Sequence, residues 1–92
     1  MSNASGASLG AVRVAEGGQG EAISFSGEVL HVVIERAYAP GAPVSLELAH
    51  ATGPISLSGK TIGSKRREDG RFDVRMRLVS LRREDREKLR GA

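Results

Sequence analysis

Between residues 72 and 78 the chain alternates strictly. Phe72, Val74, Met76 and Leu78 are apolar, whereas Asp73, Arg75 and Arg77 are charged. Successive side chains of a strand point to opposite faces, so this period of two predicts a strand with one dry face and one wet, mostly basic face. Val44, Leu46 and Leu48 alternate with Ser45 and Glu47 in the same way. The run Val29-Leu30-His31-Val32-Val33-Ile34 is rich in β-branched residues and predicts a central strand within residues 28–36. Residues 11–15 and 22–25 read as shorter strands. Ile55 and Leu57 lead into Gly59-Lys60-Thr61-Ile62, a strand in which the glycine predicts a bulge.

Glycine and proline punctuate these pieces. Residues 17–20, 39–43 and 50–54 read as loops or turns, and Ser26-Gly27 as a turn or bulge. Residues 64–70 form a charged hairpin loop ending in Asp69-Gly70, a strong turn signal. After Ser80, a candidate N-cap, the period changes. Leu81 and Leu89 fall on nearly one face of a helix predicted over residues 81–90, with Gly91 as its cap. Short strands separated by turns, then one helix, predict a mostly β domain: a six-stranded antiparallel barrel with a short C-terminal α-helix.

Ninety-two residues make one domain. Residues 1–9 read as a disordered start or tag remnant, and residues 10–92 as the domain. There is no cysteine, which excludes disulfides and thiolate metal sites. No stretch approaches the roughly 20 apolar residues that span a bilayer. Residues 1–10 lack the basic start and apolar centre of a signal peptide, so a cytoplasmic protein is expected. The formal charge of +3 is uneven. Residues 1–59 carry two basic and five acidic side chains, whereas residues 60–92 carry twelve basic and six acidic. Charge of this kind reads either as a solvated surface or as a face for an anionic partner.

Catalytic signatures are missing. His31 and His50 have no metal-ligand spacing, and no serine sits in a nucleophile elbow. His31 lies within an apolar strand and reads as a structural histidine with a satisfied partner. Gly17-Gly18-Gln19-Gly20 is too short to cradle phosphate ahead of a helix. Neither an enzyme nor a metal or other cofactor is expected. Binders of single-stranded nucleic acid combine basic charge with aromatic platforms, and this chain has only Phe25, Tyr38 and Phe72.

The order of the pieces resembles the PilZ domain family. The stretches that carry the likeness are Ala22-Ile23-Ser24-Phe25-Ser26-Gly27, then Gly41-Ala42-Pro43-Val44-Ser45-Leu46-Glu47-Leu48, then Ile55-Ser56-Leu57-Ser58-Gly59-Lys60-Thr61-Ile62. Gly70-Arg71-Phe72-Asp73-Val74 and the tail from Leu81 to Leu89 follow. The likeness spans residues 11–90 and implies a six-stranded barrel closed by a C-terminal helix. It also implies a link to cyclic di-GMP, which the family grips with an R-x-x-x-R stretch and a [D/N]-x-S-x-x-G loop. Ser24 and Gly27 match the serine and glycine of that loop, but Ala22 replaces its Asp or Asn. The R-x-x-x-R stretch is absent, since Gly17 stands four residues after Arg13. Charge-assisted hydrogen bonds contribute ~1.5–3 kcal/mol each, so the missing groups remove ~5 kcal/mol or more. That is a factor of thousands in affinity.

Three readings follow. The first is a regulatory adaptor in cyclic di-GMP-related signalling, in motility or surface behaviour, that acts through protein contacts with weak or no direct nucleotide binding. Its candidate partner surface is Arg66, Arg67, Arg71, Arg75 and Arg77. The second is a working cyclic di-GMP receptor in which Arg66, Arg67 and Arg71 replace the missing pair. The third is a barrel that binds nucleic acid through the same basic residues.

Overall fold

The structure, a computed structural model, describes residues 9–50, 53–79 and 81–91. Six strands form a closed antiparallel barrel: β1 (Gly10–Val14), β2 (Gln19–Ser26), β3 (Val29–Ile34), β4 (Pro43–His50), β5 (Gly53–Arg66) and β6 (Phe72–Val79). Among the described residues one helix, α1 (Arg83–Gly91), follows. Around the ring the order is β1-β2-β3-β6-β5-β4, and β1 closes it by pairing with both β2 and β4. Among the described residues no helix is long and apolar enough to cross a membrane.

Alternation builds the interior. Val12 and Val14, Leu30, Val32 and Ile34, and Val44, Leu46 and Leu48 are buried in one cluster. Ile55, Leu57, Val74, Met76 and Leu78 complete its walls. Intervening residues of β4 and β6 are exposed or half-buried, so each of these strands is apolar on one side only, as the period of two requires. The long strand β5 serves two neighbours: residues 53–60 pair with β4 and residues 58–66 with β6.

The bulge predicted at Gly59 lies instead at Ile62, where the β5–β6 register shifts between Thr61 and Gly63. Gly59 has a different role. It sits between Val44 and Leu78, where a Cβ would run into the backbone carbonyl oxygen of Arg77. Close backbone approach, not irregular pairing, demands glycine there. A second shift, between Ala22 and Ser24, lets β2 bend around the ring. Several strands are longer than predicted. β2 takes in Gln19 and Gly20, and β5 takes in Ser64, Lys65 and Arg66, because a partner strand continues alongside each.

Both ends of the barrel are plugged. At the end where β3 stops, the loop to β4 lays Tyr38 over the opening, and its side chain is buried. Ser64 fixes this loop twice: its Oγ accepts from the Tyr38 amide at 2.9 Å and donates to the Tyr38 carbonyl at 2.8 Å. Thr61, buried inside the wall, donates its hydroxyl to the Ala42 carbonyl. The Tyr38 hydroxyl donates to Glu16, and the Arg36 guanidinium lies 5.4 Å from the ring centroid. Burial and the Glu16 carboxylate hold the phenol above its ordinary pKa.

At the opposite end Leu89 of α1 is buried in the core. The helix starts at Arg83 rather than at 81, with Glu84 and Asp85 in its first turn where the helix dipole favours negative charge. Leu81 therefore reaches the core from the connecting segment, not from the same helical face as Leu89. Gly91 is the last helical residue rather than a cap beyond the end. Arg86 anchors the helix to Glu28 of the β2–β3 turn at 3.3 Å. Leu9, set aside with the chain start, packs against the core, and its amide donates to the Ala22 carbonyl at 2.7 Å. Residues 1–8 and the Ser80 cap lie outside the described residues.

Three substitutions probe this arrangement. Leu89→Ala empties one plug and is expected to cost about 3 kcal/mol in urea unfolding. Gly59→Ala is expected to cost about 2 kcal/mol through backbone collision. Gly63→Ala, where a Cβ meets nothing within 4 Å, is expected to be near neutral. Equal costs at the two glycines would contradict the close-approach account.

Candidate functional site

The outer face of β3, β6 and β5 gathers the basic residues. The register sets out three rows across these strands. Val33 lies beside Asp73 and Lys65, His31 beside Arg75 and Gly63, and Val29 beside Arg77 and Lys60. Alternate side chains on one strand are about 6.8 Å apart and neighbouring strands about 4.8 Å, so these cations form a compact grid.

Asp73 organises one corner of the grid. His31 Nε2 lies 2.8 Å from its Oδ1, and Arg67 Nη1 donates to the same oxygen at 3.0 Å. His31 thus has the structural partner expected of it, from a residue 42 positions away. Partial burial pushes the Asp73 carboxyl up. Hydrogen bonds from His31 and Arg67, with the charge of Arg67, outweigh that and hold it below its ordinary pKa.

The five arginines singled out from the sequence do not form one surface. Arg67 and Arg71 are held within the β5–β6 hairpin. Arg71 bonds Asp69 through its amide at 3.0 Å and through its guanidinium at 3.2 Å, and Arg67 is shared between Asp69 and Asp73. The Arg71 amide contributes most to holding the Asp69 carboxyl below its ordinary value. Arg66 is exposed at the end of β5, opposite Phe72. Arg75 and Arg77 are exposed on the outer wall. Lys60 and Lys65, which the sequence reading did not single out, stand beside them. Counting back from the Asp69-Gly70 turn along an antiparallel pair brings Lys65 opposite Asp73, so the signal for one of them was present. His31 and Gly63 could be added only by the β3–β6 pairing and the bulge.

Ser24 and Gly27 fall where β2 turns into β3. Ser24 is exposed opposite His31, and Gly27 takes φ 63° in the turn. Ala22 is wholly buried inside the barrel. Arg13 is exposed on β1, which lies three strands from β6 around the ring in either direction. Among the described residues no three His, Asp or Glu side chains gather to hold a metal ion. A comparison with family models, curated proteins and solved structures finds no match. The fold and the face therefore define a class by themselves: a small closed barrel with a basic outer wall.

Asp73→Asn is expected to cost about 1 kcal/mol at pH 7, because the side chain is 30% exposed and its ion pairs are partly screened. The folded-state pKa is depressed, so this stabilisation is complete above the unfolded value of about 3.9 and is lost as pH falls through the folded value. Urea unfolding at neutral and strongly acidic pH checks it. The gap between variant and wild type should close in acid; a constant gap would refute the ion-pair account.

Proposed function

We propose that this chain is a cytoplasmic adaptor, a degenerate PilZ-like barrel that acts in cyclic di-GMP-related regulation by contacting a protein rather than by catalysis. The observation that carries this reading is the outer wall, where Lys60, Lys65, Arg75 and Arg77 make no ion pair among the described residues. Cations held in rows on a rigid sheet give a partner both steering and register.

Two features support weak or absent nucleotide binding. Ala22, at the position where the family's loop has Asp or Asn, faces the core and offers no polar group. Arg67 and Arg71, two of the three arginines that would stand in for the missing pair, are already engaged by Asp69 and Asp73. Gripping a phosphate would require breaking those pairs. The aromatic residues are turned away from the wall: Phe25 and Phe72 pack against the core, and Tyr38 is buried. That favours a protein partner over single-stranded nucleic acid.

Isothermal titration with cyclic di-GMP checks the proposal. No saturable binding is expected up to about 100 μM nucleotide, given the loss of ~5 kcal/mol or more from the missing groups. Binding at micromolar or tighter affinity, abolished by Arg66→Glu, Arg67→Glu and Arg71→Glu together, would establish the receptor reading instead.

A further inference from the structure

Two features of the outer wall go beyond a solvated basic surface. Lys60 stands directly opposite Arg77 in the β5–β6 register. Like charges in that position destabilise a sheet, and a negative partner relieves the repulsion. The second feature is a depression of about 290 Å³ over Gly63, lined by His31, Ser64, Lys65, Asp73 and Arg75. It exists because residue 63 has no side chain; a Cβ there would meet nothing within 4 Å. Asp73 within it is already compensated by His31 and Arg67, whereas Lys65 and Arg75 make no ion pair among the described residues. Beside the depression the bulged residue Ile62 is 46% exposed. On the far side Glu21 of β2, opposite Val33, ends the basic field.

We infer that the outer face of β3, β6 and β5 docks an extended acidic segment of a partner protein, with one carboxylate entering the depression over Gly63 between Lys65 and Arg75. The inference rests on the adaptor reading and names the chemistry of the partner. Strand addition to the barrel is disfavoured, because among the described residues the strands form a complete ring with no edge to extend. Recognition must run through side chains standing off the wall. An extended peptide repeats its side chains on one face about every 6.8 Å, the same repeat that separates Arg75 from Arg77. A carboxylate over Gly63 therefore brings the next but one residue to Arg77 and Lys60. Ile62 offers an apolar contact at the margin, which a purely electrostatic patch lacks.

Fluorescence anisotropy with labelled twelve-residue peptides tests this. One peptide carries glutamate at alternate positions, a second has the same glutamates in one block, and a third has glutamine throughout. The alternating peptide should bind about tenfold tighter than the block peptide, and the glutamine peptide should not bind. Lys65→Gln with Arg75→Gln should weaken the alternating peptide about tenfold or more, and Arg75→Lys should largely restore binding. Gly63→Val keeps every charge, suits a strand and fills the depression; it should weaken binding similarly with the melting temperature unchanged. Arg13→Gln, on the opposite side of the ring, should have no effect.

Alternating and glutamine peptides that bind alike would overturn the inference. So would a Gly63→Val protein that binds like wild type, or a labelled oligothymidylate that binds more tightly than any peptide. Cyclic di-GMP titrated alongside separates the two readings. Nucleotide binding removes the adaptor function whatever the peptides do, whereas failure of the peptides alone removes only the acidic segment.

Discussion

The pairing of β1 with both β2 and β4 closes the sheet into a ring, and most other features of the molecule follow from that closure. A closed sheet has one inside. Every strand must commit the same alternate set of residues to it, and a slip of one residue in any strand would turn its apolar row outward. The ring is also small, so backbones approach closely and the wall must bend. Gly59 answers the first demand and the register shifts at Ile23 and Ile62 answer the second. The open ends then need covering, which Tyr38 and Leu89 provide from opposite sides.

Closure shapes function as well. It removes the hydrogen-bonding edges through which open sheets recruit other strands, leaving the outer wall and the rims as surfaces for recognition. The wall is uneven. Around β1 and β4 it carries the short side chains of Ala11, Ser45 and Ala49 and places Arg13 opposite Glu47, whereas β6 and the second half of β5 carry Lys60, Lys65, Arg75 and Arg77. The bulge that bends β5 also makes Gly63 the outward neighbour of Arg75. A device of barrel geometry thus opens a depression among the cations.

The strand from Phe72 to Val79 shows how far local pattern reaches. Its alternation identified the inner row and the outer row, and both appear in the barrel. The same holds for Val44 to Leu48, whereas the β3 run was legible only as a central strand from its β-branched residues. Val33 marks a boundary of that logic: by register it lies beside Asp73, outside the core cluster, yet it is only 2% exposed. The arginines mark another. Sequence proximity grouped Arg66, Arg67 and Arg71 with Arg75 and Arg77, but a hairpin folds its own charges together. Asp69 and Asp73 capture Arg67 and Arg71, whereas Arg66, Arg75 and Arg77 make no ion pair among the described residues.

By itself, then, the sequence determined the mostly β class, the six strands, the terminal helix and the basic character of β6. Each of these depends on periodicity or on turn chemistry acting over a few residues. The tertiary structure alone decided which strands are neighbours around the ring, that His31 meets Asp73, that the bulge falls at Ile62, and that Lys60 faces Arg77. Those facts are set by pairing between segments remote along the chain, where the energy comes from closing the ring and filling its interior. No local preference encodes the partner of a strand, so the basic strand was visible from the start, but the wall it belongs to was not.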